Sequence, residues 1–123
     1  MSYARRHVVE LTTAADGSAT GYTPVVTGKL SQLRYVKTDF ADGVTFAVTA
    51  EATGETLWGE AAVNASATRA PRQATHSTAG AAALFAAGGA AVLEKIALAQ
   101  DRVKIVVSAG GNVKTGAVHV VIE

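Results

Sequence analysis

The chain has no cysteine, so disulfide frames, thiolate nucleophiles and cysteine-based zinc sites are excluded together, and packing and hydrogen bonds must hold the fold. Proline occurs twice, and aromatics are limited to one Trp, three Tyr and three Phe. No apolar run approaches the ~20 residues that span a bilayer. Val8-Val9 is followed at once by Glu10, which leaves no signal-peptide core and gives a cytoplasm as the expected site of synthesis. An excess of one charge is missing too. Eleven Lys and Arg oppose ten Asp and Glu, for a formal net charge of +1, and the signs alternate instead of forming blocks. That pattern carries neither a nucleic-acid footprint nor an acidic tail. A length of 123 residues suits one domain, spanning 1–123, and excludes a two-domain enzyme.

What is present points to strands. The apolar share is 49%, but 26 of those residues are Ala, so the core must be thin. Sixteen Val and fourteen Thr give β-branched side chains that suit a pleated, half-buried surface. The clearest period of two runs through Val44, Phe46, Val48 and Ala50. Gly54 offers a turn behind it, and Thr56-Leu57-Trp58 resumes the pattern, as in a hairpin. A second hairpin is expected from Val103-Ile105-Val107, through Gly110-Gly111-Asn112, to Val118-Val120-Ile122, whose mixed parities suit a central strand. Further strands are expected at 7–11, 30–37 and 96–99. Together they predict an all-β fold: an antiparallel β-sandwich, jelly-roll-like, of about seven or eight strands with one long Ala/Gly-rich loop.

That loop is residues 59–92. Ala supplies 14 of its 34 positions and large apolar residues are few, so no sheet pattern can be read there. Ser77 could cap a helix of at most two turns over Ala79 to Ala87, stopped by Gly88-Gly89. Structureless loops beyond ~12–15 residues are uncommon inside compact domains. The segment is therefore expected to lie flat across the domain or to find its partner outside it, as an interaction loop or arm.

Groups that could carry chemistry are sparse. Ser108 to Gly116 comes near a phosphate-binding loop, but Val113 stands where Gly must precede Lys114, and a strand follows instead of a helix. His7, His76 and His119 lack the close spacing of metal ligands. Ser66 and Ser77 lack a nucleophile-elbow glycine pattern. Glu51 with Glu55, and Asp39 with Asp42, flank turns. Trp58, Tyr35, Tyr22 and Phe85 could form a stacking platform for sugars or bases and otherwise serve the core, and a carbohydrate-binding module predicts a solvent-facing pair drawn from Trp58, Tyr35 and Tyr22. Arg69-Ala70-Pro71-Arg72 reads equally as a basic contact loop for an acidic protein surface or as a solvated turn. Neither an enzyme, a cofactor nor a metal is expected.

The order of segments also carries a resemblance. Gly21-Tyr22-Thr23-Pro24, Gly28-Lys29-Leu30, Leu33-Arg34-Tyr35-Val36-Lys37, Glu51-Ala52-Thr53-Gly54-Glu55, Ala70-Pro71-Arg72, Asp101-Arg102-Val103-Lys104, Gly110-Gly111 and Lys114-Thr115-Gly116 together resemble small virion structural proteins of tailed bacteriophages. Within that class the chain looks most like capsid decoration, or cement, proteins. The resemblance implies a protein made in a bacterial host cytoplasm that binds the exterior of the assembled shell and resists the pressure of packaged DNA. Its implied partners are the major capsid protein and copies of itself, as a trimer, with no nucleic acid and no membrane. The expected interface comprises Arg69, Pro71, Arg72, His76, Leu84 and Phe85. A small component of the phage tail, baseplate or fibre is the nearest rival, and the carbohydrate-binding module is a rival of another class.

Overall fold

The computed structural model describes residues 4–123. Within them there is no helix, and ten strands follow in order: β1 (Arg5–Thr12), β2 (Ala19–Tyr22), β3 (Val26–Lys37), β4 (Thr45–Ala50), β5 (Thr56–Glu60), β6 (Ala67–Arg69), β7 (Arg72–Ala74), β8 (Leu93–Asp101), β9 (Val103–Ser108) and β10 (Thr115–Ile122). The larger sheet has the order β1-β10-β3-β8-β7, with β6 beside the second half of β3, and the smaller has the order β2-β9-β4-β5. Every pairing is antiparallel.

Alternation explains how the sheets face one another. Val9 and Leu11, Val118 and Val120, Leu33 and Tyr35, and Ile96 and Leu98 bury one face of the larger sheet against Phe46, Val48, Val103, Ile105 and Val107 of the smaller. An aromatic row runs through this core. The Tyr35 ring lies 4.6 Å from Phe46 and 6.0 Å from Phe40, and Phe46 stacks on Trp58 at 5.1 Å. Burial pushes the Tyr35 phenol pKa up. The sheets close tightest at β2, where a Cβ on Gly21 would come within 2.7 Å of the Leu11 and Val9 side chains.

The β4–β5 hairpin forms as expected, with Phe46 opposite Glu60 and Val48 opposite Trp58. The second expected hairpin does not. β9 lies between β2 and β4 in the smaller sheet, whereas β10 lies between β1 and β3 in the larger. The connection at 109–114 is an arch between sheets, tied down by Thr13, whose Oγ1 donates to the Gly111 carbonyl at 2.7 Å and accepts from the Lys114 amide at 2.8 Å. β10 is nonetheless central in its sheet.

Residues 59–92 are not a single loop. Val63 is buried and its amide donates to the Val44 carbonyl, and β6 and β7 join the larger sheet. Only 75–92 stand clear, and they are extended, not helical. Two tight turns fold them into three short segments. At the first, Ser77 Oγ accepts from the amides of Ala79 and Ala81, and Gly80 takes a φ of 81°. At the second, the Gly89 amide donates to the Ala86 carbonyl, and Gly88 takes a φ of 70°. Thr75 ties the segments together: its amide and Oγ1 both donate to the Val92 carbonyl, and its own carbonyl accepts from Ala83. A nine-residue helix is marginal whatever its alanine content, so these glycine turns and cross-links prevail.

Candidate interaction surface

The six residues expected at an interface fall into two groups. Arg69, Pro71 and Arg72 belong to the body. Arg69 on β6 shares the inward face of Leu33, at the flank where β5 of the other sheet ends. There its Nε and Nη2 donate to the two carboxylate oxygens of Glu60 at 2.7 and 2.9 Å, and Trp58 Nε1 adds a third bond to Glu60 at 3.1 Å. Donation first from Arg69 and then from Trp58 lowers the Glu60 pKa to about 2. This fork clasps the two sheets along one flank. Pro71 is half-buried between β6 and β7, and Arg72 Nη1 donates to the carbonyls of Ser31 and Pro71.

His76, Leu84 and Phe85 lie on the arm. His76 is bridged to Ala82 and Leu84 to Ala91, and the Phe85 amide donates to the Ala90 carbonyl. Phe85 is 76% exposed and Leu84 41%, and Leu93 at the arm's root adds a third exposed apolar side chain. Leu93 was missed from sequence because it sits at the edge of an apolar run. Apart from His76, residues 75–92 contain no ionisable side chain.

The chemical constellations are taken up by structure. Ser66 Oγ accepts from the Lys37 amide and Asn64 Oδ1 from the Gly43 amide, fastening the chain after β5 to the end of β3 and to the turn before β4. In the glycine arch, the Gly110 amide donates to the Gly17 carbonyl and the Lys114 amide to Thr13, so neither faces a free anion site. His119 lies on the outside of β10 and accepts from Arg6. Among the described residues, no three His, Asp or Glu side chains gather where they could hold a metal ion. A hollow of about 230 Å³ beside β1 and β10 is lined by Glu10, Thr12, Thr38 and Thr115, with Glu10 its one ionisable group. Trp58 and Tyr35 are buried in the aromatic row, and Tyr22 lies under the Arg102 guanidinium at 4.2 Å. The solvent-facing aromatic pair that a carbohydrate-binding module needs is therefore not built from these three.

Comparison of the chain with protein-family models, with curated proteins and with solved structures returns no match.

Proposed function

We propose that this protein is a structural component of a tailed-phage virion that docks on the exterior of the assembled capsid shell and reinforces it, with the arm at 75–92 as the docking element. The observation that carries this reading is the arm itself: an exposed, almost uncharged projection that holds Phe85 and Leu84 in water. Burying such side chains against a partner is worth ~1.5–3 kcal/mol each, and the arm's internal hydrogen bonds have already met part of the ordering cost. Small Ala and Gly side chains let a neighbouring backbone approach closely. A trimer of copies around a local symmetry axis would set several arms on one shell site.

Co-sedimentation with assembled shells tests this. Replacing 75–92 by a short Gly/Ser link abolishes binding while leaving the sandwich folded, and undiminished binding rejects the reading. Copy number per particle separates the shell from the tail, because a decoration protein follows the shell lattice and a tail component follows the tail's low-order rotational symmetry.

A further inference from the structure

The two outer faces of the sandwich differ in charge, although the signs alternate along the sequence. Opposite the buried Val9, Val118, Val120, Leu33 and Tyr35, alternation sends Arg6, Val8 and Glu10, then His119, then Arg34 and Val36 to the outside of the larger sheet. Pairing lines up Val8, His119, Arg34 and Thr68 as one row across four strands. On the same face Lys29 lies opposite Ala97, and Arg72 opposite Lys95. Against Arg6, Arg34, Lys29, Arg72 and Lys95 stand two carboxylates, Glu10 and Glu123, and Glu123 is already paired with Lys95. The outer face of the smaller sheet presents Thr20, Tyr22, Thr45, Ala47, Thr49 and Val106 around two cations, Lys104 and Arg102, and the second lies over Tyr22 and is paired with Glu51.

The arginines of this face are held by partners other than carboxylates. Arg6 Nη1 donates to His119 Nδ1 at 3.1 Å, Arg34 Nη1 to Thr68 Oγ1 at 3.1 Å, and Arg72 Nη1 to the Ser31 carbonyl at 3.0 Å. Among the described residues none of the three meets a carboxylate, whereas Arg69 and Arg102, which lie elsewhere, meet Glu60 and Glu51. A guanidinium held this way has its direction set and most of its five donors free, and only Arg72 of the three feels a nearby carboxylate, that of Glu123.

We propose that the outer face of the larger sheet docks the acidic surface of a folded protein partner. Charge complementarity selects an acidic occupant. Val8 and Val36, 51% and 36% exposed among the arginines, select a protein over a nucleic acid, because side chains on a protein surface offer apolar contacts between carboxylates and a phosphate backbone does not. Glu10 and Glu123 also interrupt the face where a continuous line of phosphates would run. The surface is distinct from the arm, so this inference stands or falls apart from the shell-docking reading.

An NMR titration of the ¹⁵N-labelled full chain tests it, with poly-L-glutamate as the probe and duplex DNA of matched charge alongside. Amide shifts are expected along 6–10, 34–36 and 117–121, and not at 84–85 or on the smaller sheet. Binding weakens as salt rises from about 0.01 M to about 0.15 M, where the screening length falls from roughly 30 Å to about 8 Å. The double variant Arg6→Glu/Arg34→Glu, checked for folding by its amide dispersion, loses at least about tenfold in affinity. Shifts spread equally over both faces, an undiminished double variant, or tighter binding of the duplex than of the polypeptide would each overturn the proposal. The wild-type shift map decides the matter even if the variant fails to fold.

Discussion

The sandwich body and the arm at 75–92 reach the same extended backbone by different routes. In the body, strands form because Val, Leu, Ile and Phe alternate and bury one face, so the core dictates the register. In the arm, Ala and Gly have little to bury, and the shape comes from Ser77, Thr75 and two glycine turns that pair backbone groups locally. The body therefore has a stability of its own that single core side chains control. The arm has a shape but little apolar burial behind it, and so can change its surface at small thermodynamic cost.

The largest break in that contrast is Phe46→Ala. It removes the ring between Tyr35 and Trp58 and should destabilise the chain by about 3–5 kcal/mol, seen as a lowered urea midpoint. A smaller effect is expected at the flank clasp. The Glu60 pKa is lowered from 4.5 to about 2, so its contribution is full above pH 4.5 and is lost as pH falls from there towards 2. The Glu60 side chain is about a third exposed, and screening reduces this contribution to ~1 kcal/mol. Glu60→Gln should lower stability at neutral pH by that amount and flatten the acid limb. Because Asp16, Asp39 and Glu123 are also lowered and share this window, the difference between wild-type and variant urea curves is the quantity to compare. The smallest effect belongs to Phe85→Ala, expected to change stability by less than about 0.5 kcal/mol while weakening shell binding. A large stability loss there would mean that the arm is as integral as the body.

The strands legible in the sequence were those whose inward residues are large, such as β4 with Phe46 and Val48 and β10 with Val118 and Val120. β2 was hidden because its inward positions are Ala19 and Gly21, small where Leu11 and Val9 come close and a Cβ has no room. β6 was hidden because its inward positions are Ala67 and Arg69, the second of which faces Glu60 instead of apolar neighbours. The error over the second hairpin has another source. Alternation fixes which face a residue takes but not which sheet its strand joins, and Thr13, about a hundred residues away, secures the arch between them. For the interface, the sequence marked the exposed Leu84 and Phe85, but it could not disclose that Arg69 is already held by Glu60. Nor could it show that cations scattered from Arg6 to Lys95 converge on one face, because that convergence is a product of strand pairing.

Trp58 lies where the clasp meets the aromatic row, its indole donating to Glu60 and its ring against Phe46. As the one tryptophan in the chain, it gives the molecule a built-in optical reporter. Its emission follows the opening of that flank and the loss of the core, with no label added to the chain.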